Sequence, residues 1–285
     1  MAGIAFTLLL IAAILARYKD SPRWWGTAFI ASIVTAYLAS MIEVSAIIMA
    51  VTLITLSHYY SKIINSTGRL SFYLWKTSVW TVLVILSLLL ATHAAPGFNN
   101  ILIHDEVVLS QNSTSFSIYA NYDKALVGMA LLLLLANGSN NLQAFFRNGL
   151  HLLGITAIAI LGTATLTGYI KWEPKFETVF FTWAITNLLV TCLAEEAFFR
   201  LLIQEQVLKW CSRLAHKEWI AIIIAGSLFG LAHLGGGATY AILATVAGVC
   251  YAYIYHRYRS ISVAVAVHFL VNATHFLLFT YPASG

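Results

Sequence analysis

The sequence predicts an all-α fold, a polytopic transmembrane helical bundle of about 8 to 10 spans with a small extramembrane β-hairpin near residues 100–121. Three observations carry this. The chain of 285 residues is 60% hydrophobic and 9% charged, with a mean hydropathy of +0.82, against about 45–50% apolar and about 25% charged residues in soluble domains. Apolar runs long enough to cross a bilayer core of about 30 Å recur along the whole chain. Between two of them lies one long polar connector that alternates in the manner of strands.

The runs fall near residues 2–16, 24–40, 42–57, 72–92, 124–137, 149–170, 178–204, 218–234, 238–255 and 261–281, each spanning alone or with modest tilt. The first, "GIAFTLLLIAAILA", lacks a preceding basic region and a following small-residue cleavage site, so it is read as a first span and not a removed signal peptide. The triplet Gly235-Gly236-Gly237 invites a break at membrane depth. The connector 93–123 alternates in "NNILIHDEVVLS" and "TSFSIYANYD" around the turn-like "QNST", which predicts the hairpin. The resulting organisation is one integral membrane domain: N-terminal helices over 1–92, the extramembrane segment 93–123, and a core over 124–285.

Charge sorts the connectors. Segments 17–23, 57–76, 138–148, 205–217 and 256–260 hold Arg17, Lys19, Arg23, Lys62, Arg69, Lys76, Arg147, Lys209, Arg213, Lys217, Arg257 and Arg259, which places those faces in the cytoplasm. Segment 93–123 has no basic residue and carries Asp105, Glu106 and Asp123, so both chain ends face outward. The net charge of +5 does not indicate nucleic acid, because the 16 basic residues are scattered singly between apolar runs. Cys192, Cys211 and Cys250 are too few and too far apart for a disulfide framework or a zinc ribbon.

Against that apolar background, "TCLAEEAFFRLLIQ" at 191–204 places two glutamates and an arginine inside a span. An acidic side chain at the bilayer centre costs about 2.5–3.5 kcal/mol on insertion scales, so each is a functional candidate. On a helix Glu196 and Arg200 stand at i and i+4 and can pair, while Glu195 is turned about 100° away. The alternative is a structural polar cluster between helices. Two further stretches shift the balance: "LFGLAHLGGG" puts Phe229 and His233 at i and i+4, and "VAVHFLVNATHF" does the same for His268 and Asn272. A carboxylate in a low-dielectric pocket is a better proton acceptor, so Glu195 with His233 can hold and activate a water. His268 and the Asn272 amide can stabilise the oxyanion formed at a peptide carbonyl. Glu196 and Arg200 then fix the surroundings of Glu195.

The order EExxxR, FxxxH, HxxxN on successive late spans, here Glu195 to Arg200, Phe229 to His233 and His268 to Asn272, resembles the CPBP family of intramembrane proteases, also called the type II CAAX prenyl endopeptidase or ABI family. The resemblance spans roughly residues 178–281, and "PGFNN" at 96–100 and "NYDKALVG" at 121–128 resemble bacterial members. It implies a glutamate-dependent, metal-independent endopeptidase without a cofactor. In it the Glu195 and His233 positions activate water and the His268 and Asn272 positions form the oxyanion hole, in a cavity open to water and bilayer. It implies a membrane-associated or lipid-modified polypeptide as substrate, and location in a bacterial inner membrane.

Other chemistries fit less well. There is no HExxH, no GxSxG-type serine turn, and Asp20, Asp105 and Asp123 all lie outside the predicted spans. Zinc bound by Glu195, His233 and His268 remains an alternative. So do a non-catalytic peptide-binding or immunity protein and an ion- or proton-coupled transporter, although no polar pathway or inverted repeat is visible. Glu43 is expected at a helix end and His275 near the outer interface. His58, His93, His104, His151, His216 and His256 fall at span edges or in connectors. One difficulty stands: counting about 1.5 Å per residue from the predicted span ends sets His233 at a different depth from Glu195 and His268.

Overall fold

The computed structural model describes residues 1–17, 22–135 and 141–285. Lys19 and Asp20, and the junction of the predicted 124–137 span with the 138–148 connector, lie outside the described residues. Every predicted apolar run is helical: α1 (Ala2–Arg17), α2 (Pro22–Leu38), α3 (Val44–Ile63), α4 (Leu70–Ala91), α5 (Tyr122–Leu135), α6 (Leu142–Asn148) with α7 (Leu150–Leu166), α8 (residues 179–210), α9 (Lys217–Ala232), α10 (Ala238–Tyr258) and α11 (Ile261–Leu278). Strands β1 (Ile101–Val107) and β2 (Phe116–Ala120) pair as the predicted two-stranded antiparallel hairpin. Among the described residues, α3, α4, α10 and α11 are long and apolar enough to cross a membrane, and α6 with α7, bent by 75°, makes a fifth candidate. Other predicted runs do not form single α-helices of that length: the apolar part of α1 covers only Ala2–Leu15, and π turns interrupt α8.

Residues 1–101 with 120–137 form one compact unit, and residues 102–119 with 138–285 form a second. In the first, the Ser32 hydroxyl donates to the Ala5 carbonyl at 2.6 Å and lies 2.7 Å from the hydroxyl of fully buried Tyr122, tying α1, α2 and α5 together. Asp123 is also fully buried, in the first turn of α5, where the helix N-terminus favours negative charge. Its carboxylate accepts from His93 Nδ1 at 2.8 Å, from Asn100 Nδ2 at 3.0 Å and from the Lys124 amide at 2.8 Å. This clamp joins the end of α4, the following loop and α5. Glu43 stands exposed at the N-cap of α3, as expected.

In the second unit α9 and α10 pack antiparallel through glycines. A Cβ on Gly226 would lie 2.4 Å from Val249 Cγ2, and one on Gly230 would lie 1.8 Å from Thr245 Oγ1 and 2.7 Å from the Ala241 carbonyl. Such close backbones replace the hydrophobic drive that lipid does not supply. The link between the two helices is the Leu234–Gly236 turn and Gly237, whose φ of +94° is open to glycine. Helix α8 is continuous, but α-helical turns alternate with π turns at Asn187–Cys192 and Ala197–Gln204. The hairpin residues Phe116 and Ile118 pack with Trp183, Phe276 and Tyr281 against the ends of α8 and α11. The outward faces keep Ile158, Leu166, Ile185, Ile223 and Ile242 exposed, a surface suited to lipid.

Because Gly230 has no room for a methyl group and the end of a neighbouring backbone carbonyl cannot retreat, Gly230→Ala is expected to destabilise the protein by about 1–3 kcal/mol. Gly154→Ala, where nothing lies within 4 Å, is expected to leave stability unchanged or slightly raised. Thermal unfolding of the two variants in detergent, followed by intrinsic fluorescence, measures the contrast.

Candidate active site

Helix α8 brings the paired glutamates and the arginine to the middle of the second unit. Arg200 Nε donates to Glu196 Oε2 at 2.7 Å, the i, i+4 pair expected from the sequence, and both side chains are fully buried. Glu196 Oε1 in turn accepts from His268 Nδ1 on α11 at 3.0 Å. The Arg200 guanidinium carbon sits 5.9 Å from the Phe229 ring, within cation–π range. One carboxylate therefore holds a cation on its own helix and an imidazole on another.

Glu195 is turned the other way, toward both histidines. Its Oε2 lies 3.9 Å from His233 Nε2 and 4.0 Å from His268 Nε2. The side chains of Glu195, His233 and His268 keep 14%, 18% and 6% of their surface accessible, so the cluster is enclosed without being sealed. Each imidazole is held through its other nitrogen. His233 Nδ1 donates to the Phe229 carbonyl at 2.7 Å, and a carbonyl only accepts, so that nitrogen carries the proton and Nε2 faces Glu195. His268 is fixed in the same sense by Glu196. Phe229 stands between the two rings, stacked on His233 with centroids 4.6 Å apart and 5.8 Å from His268. Tyr251 stacks on the other face of the site, 4.6 Å from the His268 ring, and Tyr240 meets His233 edge-on at 5.4 Å.

Asn272 lies one turn beyond His268 on α11. Its Nδ2 donates to Asn187 Oδ1 at 3.2 Å and lies 3.7 Å from Cys192 Sγ. The residues singled out from the sequence thus assemble: Glu195, Glu196, Arg200, Phe229, His233 and His268 close together, with Asn272 one turn beyond His268 at the flank, beside Cys192. The depth mismatch is resolved by the helices themselves. Helix α8 continues to Trp210 beyond its predicted end at 204, so the span ends used for counting are not level, and the chain turns immediately after His233. His275 stays outside the cluster, bonded to the Thr280 carbonyl at 3.1 Å. Among the described residues no group of three or more His, Cys, Asp or Glu side chains is arranged to hold a metal ion.

Sequence reasoning passed over Asn187, Cys192, Tyr240 and Tyr251. For Asn187 no helical spacing announces it: it meets Cys192 at i+5, a relation an α-helix does not bring onto one face and a π turn does. The tyrosines are one pair among many aromatics in the chain.

The apolar helices are those of an integral multi-pass membrane protein, and its buried Glu–Arg–His network presents a second glutamate to two imidazoles. Residues 176–274 match the family model described as type II CAAX prenyl endopeptidase Rce1-like, so this segment is similar to CAAX-type intramembrane proteases. No curated protein and no solved structure matches the chain.

Removing one member of a buried ion pair strands the other, at about 3–5 kcal/mol. Arg200→Ala is accordingly expected to lower the thermal unfolding midpoint in detergent sharply. Glu195→Gln, at a partly accessible position outside that pair, is expected to leave it close to wild type.

Proposed function

We propose that the protein is a glutamate-dependent intramembrane endopeptidase that hydrolyses a peptide bond in a membrane-associated or lipid-modified polypeptide, with no metal or other cofactor. The observation that carries this reading is the convergence of one carboxylate oxygen, Glu195 Oε2, on both imidazole Nε2 atoms within 4.0 Å. These separations are too long for hydrogen bonds, and they suit a single water bridging the three groups.

In the reaction Glu195 takes a proton from that water while His233, its tautomer fixed by the Phe229 carbonyl, orients it. The water oxygen attacks the peptide carbonyl carbon, and the carbonyl oxygen becomes an oxyanion. His268, held as an imidazolium by Glu196, and the Asn272 amide donate to it. Collapse breaks the C–N bond, and Glu195 returns its proton to the departing amine. Arg200 compensates the Glu196 charge throughout, so the network keeps its geometry as charge moves. The exposed apolar residues around the bundle fit a substrate that arrives from the bilayer, and the resemblance of segments 96–100 and 121–128 to bacterial members supports a bacterial inner membrane.

Glu195→Gln and His233→Ala are each expected to lower cleavage by at least about a hundredfold, within the range of general-base catalysis. Asn272→Ala is expected to lose about 10²–10³-fold, the value of one oxyanion donor. Mass spectrometry of co-expressed membrane polypeptides provides the readout, and cleavage that persists in Glu195→Gln would overturn the reading. A strong chelator is expected to leave the wild-type rate unchanged; loss restored by added zinc would assign Glu195, His233 and His268 to a metal instead.

A further inference from the structure

The geometry of a hydrolytic site depends on how firmly each donor is held, and in this protein Asn272 is held by a residue outside the three motifs. Asn187 opens the π turn Asn187–Cys192 of α8. Its side-chain oxygen receives two donors, Asn272 Nδ2 at 3.2 Å from α11 and Cys192 Sγ at 3.2 Å from its own helix. The two partners are themselves neighbours, with Asn272 Nδ2 lying 3.7 Å from Cys192 Sγ, and Cys192 is fully buried.

This arrangement sorts the two N–H groups of Asn272. One is committed to a carbonyl oxygen, a good acceptor. The other faces sulfur, a weak acceptor at long range that surrenders a proton donor readily to a charged oxygen. In this arrangement the Asn187 amide turns its oxygen toward both the Cys192 thiol and the Asn272 amide nitrogen, and the Asn272 amide is oriented in turn. Without that acceptor the Asn272 amide is free to rotate about its last side-chain torsion and present its oxygen, which repels an oxyanion.

We propose that Asn187 is a positioning residue for peptide-bond hydrolysis: its side-chain carbonyl orients the Asn272 amide so that an N–H is ready for the oxyanion, with Cys192 as its resting partner. The inference rests on the hydrolytic reading above. The π turn is the structural device that makes it possible, since it brings positions 187 and 192 onto one face toward α11.

The test is a double-mutant cycle on purified full-length protein in detergent, with cleavage of one membrane polypeptide as the assay. Asn187→Ala is expected to lower kcat by about tenfold to a hundredfold, the scale of a misplaced catalytic group, with KM within about twofold of wild type. In the Asn272→Ala background the same change is expected to add less than about twofold, because the donor it orients is gone. A wild-type kcat in Asn187→Ala, or losses that multiply in full in the double variant, would overturn the role, since a purely structural residue acts whether or not Asn272 is present. If Asn187→Ala does not fold, Asn187→Asp keeps shape and acceptor but sets a negative charge beside the oxyanion. It is expected to lower kcat at an unchanged unfolding midpoint, and a wild-type kcat there counts against the proposal. Glu195→Gln is run alongside: inactivity there with full activity in the Asn187 variants rejects only the positioning role, whereas activity there rejects the hydrolytic reading itself.

Discussion

The structure of the site depends on one carboxylate. Glu196 is fully buried and charged in a helix surrounded by apolar side chains, which is tolerable only because Arg200 pairs with it at 2.7 Å and His268 donates to it at 3.0 Å. Those two partners come from different helices, so the need to compensate one charge sets the relation of α8 to α11. Everything catalytic is referred to that relation. With Glu196 facing His268, the next residue back along α8 is necessarily turned toward the space between α11 and the end of α9, where Glu195 meets His233.

A division of labour between adjacent glutamates follows from helix geometry alone. Two consecutive residues differ by about 100° in direction, so one can be built into the packing and the other stay partly accessible. Burial records the outcome: Glu196 and Arg200 are fully enclosed, whereas Glu195 and His233 retain 14% and 18% accessibility. In the proposed reaction the enclosed pair contributes rigidity and a fixed field, and the accessible pair meets water and substrate. Aromatic rings complete the pocket, with Phe229 between the imidazoles and Tyr251 stacked on His268. They limit rotation of the imidazoles and lower the local dielectric around them.

Much of this was legible in the sequence because the membrane makes polar residues conspicuous. In a chain with 9% charged residues, two glutamates, an arginine, two histidines and an asparagine within late apolar runs could be paired by i, i+4 spacing, and Glu196 with Arg200 formed the pair that spacing implies. The hairpin was visible through alternation around "QNST". What stayed hidden has physical reasons. The Asn187–Cys192 contact spans five residues and needs a π turn, which leaves no trace in hydrophobic periodicity. The buried role of Asp123 depended on His93 and Asn100, which lie far from it in sequence and looked like connector residues. Depth counting misplaced His233, since it assumed level span ends that the long helix α8 does not have.

The central claim is that water, primed by Glu195 and His233, attacks the peptide carbonyl directly. Single-turnover cleavage in water enriched in the heavy oxygen isotope, followed by mass spectrometry of both product and enzyme, tests it most directly. The account expects the label in the new carboxylate of the product and none in the enzyme. Label in the Glu195 side chain, or a substrate fragment attached to Cys192, would contradict it.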